Sequence, residues 1–195
     1  MHLAHRYTVI ETLGKGAGGE VHLVEDRFSP GSPLALKTLE GDEGQLVSAL
    51  RREFQVLAAL RHPQLAQVFD FGRFESAELE GPRTFLTREF IDGQRGSEVL
   101  LDASFEEIIN LAMAICRALS PLHRSGLIHG DLKPDNVIVT SDNDVRLIDF
   151  GLARAEGEAS LLPTGTLPYI APEVVKGEAV DPRCDLYSLG AMLYE

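Results

Sequence analysis

Two short stretches carry the side chains best suited to chemistry: His129-Gly130-Asp131-Leu132-Lys133-Pro134-Asp135-Asn136, and then Asp149-Phe150-Gly151. An acid, a lysine and an amide at fixed spacing, with a second acid beyond a predicted hairpin, suit the transfer of a phosphoryl group with magnesium. A carboxylate near an acceptor hydroxyl can orient it and take its proton. An amide and a second carboxylate can hold the metal ions that neutralise a triphosphate. A lysine between them can sit on the transferred phosphate.

Elements must hold these groups in place, and the chain has enough apolar material to build them. Its 195 residues suffice for one large domain or two small lobes, and 44% are hydrophobic, so a packed core is expected. The formal net charge of -12 argues against a nucleic-acid surface, which needs a basic patch. It is compatible with a basic protein substrate, although a solvated acidic surface accounts for it as well. Cys116 and Cys184 form no CxxC pair, so a reducing cytoplasm fits, with Cys116 expected as a small core residue. No run approaches the ~20 apolar residues of a membrane span, and the N-terminus has no signal-peptide core.

Tyr7–Leu13 and Val21–Glu25 alternate as strands around Gly14-Lys15-Gly16-Ala17-Gly18-Gly19-Glu20-Val21. A G-x-G-x-x-G pattern serves dinucleotide folds as well as phosphate-covering hairpins. In a dinucleotide fold the glycines open a helix. Here Val21-His22-Leu23-Val24 continues as a strand, so the glycines read as a hairpin tip whose backbone can approach phosphate closely. Ser29–Pro33 is a turn, and Leu34–Lys37 a further strand. Residues 45–60 form a helix with Leu46, Leu50, Phe54, Leu57 and Leu60 at helical spacing. Leu65–Phe71 and Thr84–Ile91 read as strands around an acidic loop at Glu75–Pro82. Residues 105–123 form a second helix, with Ser104 and Glu107 as a capping box. Strands at 137–139 and 145–148 flank a turn at Ser141–Asp144 and bring Asn136 and Asp149 to one place.

From Tyr7 to the last residue the chain resembles the eukaryotic-like, bacterial-style Ser/Thr protein kinases. The resemblance rests on the glycine pattern, Leu34-Ala35-Leu36-Lys37 for V-A-I-K, the Asp131–Asn136 loop, Asp149-Phe150-Gly151, and Gly165-Thr166-Leu167-Pro168-Tyr169-Ile170-Ala171-Pro172-Glu173. It implies an α+β, two-lobed protein-kinase-like fold. Residues 1–92 would be the ATP-binding N-lobe, an antiparallel five-stranded sheet with one main helix. Residues 93–195 would be a partial, mainly helical C-lobe, with Gly93–Gly96 at the lobe boundary.

By that resemblance Asp131 is the catalytic base and Lys133 the phosphate-contacting lysine. Asn136 and Asp149 are the Mg2+ ligands. Lys37, paired with Glu53, orients the ATP phosphates. Leu13, Gly14, Gly16, Gly19, Val21, Ala35, Glu89 and Ile138 complete the nucleotide site. Thr166 bonds near Asp131 and Lys133, and Asp185 braces the catalytic-loop backbone. The implied reaction is transfer of the γ-phosphoryl of Mg-ATP to Ser or Thr of a protein substrate, by a chain expected in the cytoplasm.

Three departures accompany the resemblance. Gly130 stands where the family's His-Arg-Asp motif has arginine, which predicts activity largely independent of phosphate on Ser160 or Thr164. Arg88 falls at the gatekeeper position, usually apolar or Thr. The chain ends at Glu195 inside an apolar helix, without the family's remaining C-lobe helices or the arginine expected to pair with Glu173, which reads as an incomplete domain. His-Gly-Asp with Asn136 five residues after the Asp also fits small-molecule phosphotransferases of the aminoglycoside type. Against that reading stand Lys133-Pro134, Asp149-Phe150-Gly151 and the Gly165–Glu173 segment. An ATP-binding module without turnover is the remaining alternative.

Overall fold

The structure, a computed structural model, describes residues 2–16, 19–41, 44–75, 81–159 and 165–195. Ala17, Gly18, Glu43, most of the acidic 75–82 loop, Ser160 and Thr164 lie outside the described residues. The chain divides into two compact units, residues 1–58 with 67–90, and residues 59–66 with 91–195.

The first unit is built on an antiparallel sheet. Its strands are β1 (His2–Leu3), β2 (Tyr7–Gly16), β3 (Gly19–Asp26), β4 (Pro33–Glu40), β5 (Val68–Phe74) and β6 (Arg83–Glu89), in the order β1-β2-β3-β4-β6-β5. The five expected strands are present, and the two-residue β1 adds to the outer edge. The sheet curls on itself. Tyr7 on β2 and Asp70 on β5 are four strands apart in this order, yet the Tyr7 hydroxyl donates to Asp70 Oδ2 at 3.1 Å. The enclosed face is a cluster of Leu3, Tyr7, Val24, Leu34, Leu36, Phe74 and Phe85. Arg6 closes its rim, donating to both oxygens of Asp26 (2.9 and 2.6 Å) and to Asp70 (3.3 Å). Burial pushes the Tyr7 phenol up to about 12, and the Arg6 guanidinium holds the Asp26 carboxyl below the usual carboxylate range.

On the other face lies α1 (Gln45–Ala59), over Leu39 and Leu86. Its buried stripe is Val47, Leu50, Glu53, Val56 and Leu57, with Phe54 against Phe71. Leu46, expected inside, is 54% exposed, because the face that turns toward the sheet begins one residue later.

The strand expected at Leu65–Phe71 begins instead at Val68. Leu65 and Ala66 belong to the second unit, where Ala66 N donates to Leu147 O and Leu147 N to Gln64 O. The second unit contains β7 (Gln94–Arg95), α2 (Gly96–Val99), α3 (Phe105–Arg124), β8 (Leu127–Ile128), β9 (Val137–Val139), β10 (Val145–Leu147), β11 (Arg154–Ala155), α4 (Pro172–Val175) and α5 (Arg183–Tyr194). Gly93–Gly96 is therefore no bare boundary loop, since Gln94 and Arg95 pair with Val139 and Ile138. β9 and β10 form the hairpin expected between Asn136 and Asp149.

The start of α3 is fixed by the capping box at Ser104 and Glu107. Glu107 N donates to Ser104 Oγ at 3.3 Å and Ser104 N to Glu107 Oε2 at 2.7 Å. Leu111, Ile115, Ala118, Leu119 and Leu122 form its buried face. Cys116, expected in the core, is exposed: one position past Ile115 turns a helical side chain about 100° off that face. α5 buries Cys184, Asp185, Ser188, Leu189 and Met192, while Leu186, Tyr187 and Tyr194 are exposed. No helix among the described residues is long and apolar enough to cross a membrane.

Candidate active site

In the first unit, cross-strand register puts the nucleotide-site candidates on one face. Val21 stands opposite Lys37, and Leu23 opposite Ala35, so these side chains share a side of the sheet. Lys37 Nζ donates to Glu53 Oε2 at 3.2 Å. Glu53 is 1% exposed, and a carboxylate buried that far is tolerable only with a cationic or hydrogen-bonded partner. The pair ties α1 to β4 and fixes where the ammonium sits. Gly14 faces Val21 and Gly16 faces Gly19 across the β2–β3 hairpin. Gly19 has φ +100, and a Cβ there would run into Thr38 O, so this glycine cannot be replaced without moving β4. Leu13 lies half-open on β2, and Glu89 ends β6 with its amide donating to Gln67 O at 2.8 Å. Arg88 stands opposite Ala35 and Val68.

In the second unit, the loop after β8 gathers the remaining groups around Asp131. Asp131 Oδ1 accepts from the Thr166 amide and hydroxyl, both at 2.9 Å. Asp131 Oδ2 lies 3.0 Å from Lys133 Nζ and accepts from Asn136 Nδ2 at 3.2 Å. Lys133 Nζ also donates to Thr166 Oγ1 at 3.0 Å, closing a triangle of Asp131, Lys133 and Thr166. The Asn136 amide donates to Asp131 O as well, at 2.8 Å, which leaves its carbonyl oxygen for a ligand.

The backbone that carries Asp131 is held from below. Asp185, 1% exposed on α5, accepts from His129 N (2.9 Å) on Oδ2 and from Gly130 N (3.0 Å) on Oδ1. His123 Nε2 on α3 meets the same Oδ2 at 2.7 Å. Gly130 has φ +78, which turns two successive amides onto one carboxylate, and a Cβ there would lie 2.6 Å from Leu152 O. The His129 ring packs tilted against Phe150, with ring centroids 4.7 Å apart.

Asn136 and Asp149 are brought together by the β9–β10 hairpin, since Ile148 N donates to Asn136 O at 3.0 Å. Asp149 takes φ +64, a left-handed conformation rare outside glycine and one that collects at functional sites. One carboxylate and one amide oxygen are hard donors that suit a divalent cation. Among the described residues no three His, Cys, Asp or Glu side chains converge. Ile138, on β9, is half-buried opposite Arg146 and Arg95.

The Gly165–Glu173 segment is anchored on α5. Ser188 Oγ donates to Tyr169 O at 2.7 Å, and the Tyr169 hydroxyl donates to Glu195, which pushes the phenol up to about 12. Glu173 Oε1, expected without the family's arginine partner, accepts from Cys184 Sγ at 3.1 Å. His123, Ser188 and Cys184 carried no sequence signal as site residues, because each acts through a contact far along the chain.

This sheet with its glycine hairpin and ion-paired helix, and this Asp-Lys-Asn loop closed by a threonine, define a protein kinase. The chain belongs to the protein kinase domain family, whose model matches residues 7–195. It is 35% identical over 205 aligned positions to serine/threonine-protein kinase PknB of Mycobacterium leprae, and 36% over 206 to PknB of Mycolicibacterium smegmatis. Each alignment covers 100% of this chain and 32% of the relative. A probable serine/threonine-protein kinase of Streptomyces coelicolor is 36% identical over 205 positions, covering 99% of this chain and 30% of that protein. The chain thus spans about a third of the length of the curated relatives it matches. The family takes ATP with a divalent metal and acts on protein substrates.

Proposed function

We propose that this chain carries the catalytic centre of a Ser/Thr protein kinase that moves the γ-phosphoryl of Mg-ATP to a Ser or Thr hydroxyl of a protein. The observation that carries the reading is the convergence of Lys133, Asn136 and Thr166 on Asp131. The first unit, residues 1–58 with 67–90, acts as the ATP-binding lobe, and the second, residues 59–66 with 91–195, as part of the catalytic lobe. The glycine hairpin lays backbone N–H groups over the phosphates, with Leu13, Val21, Ala35, Glu89 and Ile138 around the base and ribose. Lys37, held by Glu53, orients the α- and β-phosphates.

Asn136 and Asp149 hold the divalent cation, magnesium in this reading. When bound, it supplies the positive charge that neutralises the triphosphate. Lys133 steadies the transferred group. Asp131 orients the acceptor hydroxyl and receives its proton as the new P–O bond forms and the bond to the β-phosphate oxygen breaks. Most of the rate enhancement comes from positioning and fixed charge, since the protein forms no covalent intermediate. Two free thiols, Cys116 and Cys184, support a reducing cytoplasm as the place of work. Neither nucleic acid nor membrane enters the reaction.

The test offers labelled γ-phosphate from Mg-ATP to a mixed Ser/Thr protein substrate and, separately, to an aminoglycoside. Labelled phosphoserine or phosphothreonine, lost on chelation with EDTA, is expected. Label on the aminoglycoside alone would overturn the assignment in favour of a small-molecule phosphotransferase. Nucleotide binding with no transfer to either would mark an ATP-binding module.

A further inference from the structure

The glycine hairpin carries a polar ladder on the face away from Val21, Ala35 and Lys37. His22 sits directly opposite Thr12 across β2 and β3, and Lys15 directly opposite Glu20. His22 is 4% exposed, yet both ring nitrogens are engaged: Nδ1 lies 3.1 Å from Thr12 Oγ1 and Nε2 faces Glu20 Oε2 at 3.4 Å. A carboxylate only accepts, so Nε2 carries the hydrogen toward Glu20 and Nδ1 accepts from the Thr12 hydroxyl. Glu20 also pairs with Lys15 Nζ at 2.9 Å. The chain Thr12–His22–Glu20–Lys15 thus crosses the hairpin twice, immediately beside the glycine pair Gly16 and Gly19.

Each link alone is modest. Lys15 is 66% exposed, and an exposed ion pair contributes little on its own. The buried imidazole changes the balance, because sliding the strands would leave its nitrogens unpaired away from water. β2 is irregular here, with a register shift between Thr12 and Gly14, and the side-chain pairs Thr12–His22 and Lys15–Glu20 lie on either side of that shift. Lys15 further holds the Glu20 carboxyl below the usual range, and burial pushes the His22 imidazole below its usual value.

We propose that His22 and Glu20 are positioning residues for nucleotide binding. They lock the register of the glycine hairpin, so its backbone N–H groups are arranged for the phosphates before the nucleotide arrives. The inference rests on the nucleotide-site reading above. It predicts a loss in nucleotide affinity rather than in the chemical step, because none of the four side chains faces the Val21–Lys37 side.

The experiment measures the Kd of a fluorescent ATP analogue with Mg2+, together with KM for ATP and kcat, in wild type, Glu20→Gln, His22→Leu and the exchange Lys15→Glu/Glu20→Lys. Glu25→Gln, an exposed carboxylate on the same strand, is the control. The proposal expects Kd and KM to rise about five- to ten-fold in both single variants with kcat within two-fold, and the exchange to recover most of the affinity, since the neutral imidazole can take its other tautomer, donating from Nδ1 to Thr12 Oγ1 and accepting at Nε2. Unchanged Kd in Glu20→Gln and His22→Leu would overturn it while leaving the nucleotide site standing. Equal loss in the exchange and in Glu20→Gln would also overturn it. Absence of binding by the wild-type chain would remove the nucleotide-site reading itself, and this inference with it. Should His22→Leu not fold, Glu20→Gln and the exchange, both at a half-exposed position, carry the test.

Discussion

The Thr166 hydroxyl lies 2.9 Å from Asp131 Oδ1 and 3.0 Å from Lys133 Nζ, so one side chain of the Gly165–Glu173 segment touches both charged groups of the Asp131–Asn136 loop. Removing it takes one acceptor from the lysine and one of two donors from Asp131 Oδ1, leaving the Thr166 amide and the Asp131–Lys133 ion pair in place. A hydrogen bond to a charged group contributes about 1.5–3 kcal/mol. Thr166→Ala should therefore lower kcat by roughly ten- to a hundred-fold with KM for ATP little changed, and Thr166→Ser should restore most of it. Steady-state kinetics of the two variants decide the point, and equal kcat in alanine and wild type would contradict it.

Gly130 is expected to resist replacement. Its φ of +78 and the 2.6 Å approach of a Cβ to Leu152 O make any side chain costly, about 1–2 kcal/mol for the left-handed backbone alone. Gly130→Ala should lower Tm by roughly 4 °C or more and reduce turnover, because the amides that reach Asp185 move with it. Gly130→Arg should fare worse and should not create dependence on loop phosphorylation. Calorimetry of both variants, with activity before and after phosphatase treatment, provides the check.

Acid should unfasten the first unit at Asp26. Its pKa is depressed in the folded state by Arg6, so its stabilisation is fully present above the unfolded value near 3.8 and is lost as pH falls through the lower folded value. Arg6 is 36% exposed, so the contribution is discounted for solvent to about 1 kcal/mol. Asp26→Asn should then lower Tm by a few degrees at pH 7, and the difference from wild type should shrink toward zero as pH falls through the depressed folded-state value. A difference independent of pH would contradict the Arg6–Asp26 account.

The two thiols should differ in reactivity. Burial and the Glu173 carboxylate push Cys184 up to about 11, while Cys116 stands in solvent. The thiolate is the nucleophile, so at pH 8 a disulfide reagent should modify Cys116 in the native protein at least tenfold faster than Cys184. Mass mapping of a timed reaction measures the ratio. Prior loss of Cys184 would contradict the packing of α4 on α5.

Much of this arrangement was legible in the chain because its signals are local. The strand that continues past Gly19 separates a phosphate hairpin from a dinucleotide turn, and Ser104 with Glu107 marks the start of α3. Asp131, Lys133 and Asn136 sit in one loop, so their convergence follows from short-range geometry. What the sequence left hidden depends on how distant elements meet. The contact of Tyr7 with Asp70 follows from the curl of the sheet, which no strand encodes alone. The Thr12–His22 pairing depends on an irregular register in β2. Cys116 looked apolar enough for the core, and only the angular position of the buried face of α3 puts it outside. Leu65 and Ala66 have strand-like composition but pair beside Leu147 in the other unit.

The central claim is that Asp131 and Lys37 serve phosphoryl transfer rather than folding. The most direct measurement is incorporation of labelled γ-phosphate from Mg-ATP into a mixed Ser/Thr protein substrate by wild type, Asp131→Asn and Lys37→Met, with Tm recorded for each. The account predicts transfer by wild type and loss of nearly all of it, on the order of a thousandfold or more, in both variants, with Tm near-unchanged in Asp131→Asn and lowered in Lys37→Met, where buried Glu53 loses its cation. Transfer retained by Asp131→Asn at wild-type rate would contradict it.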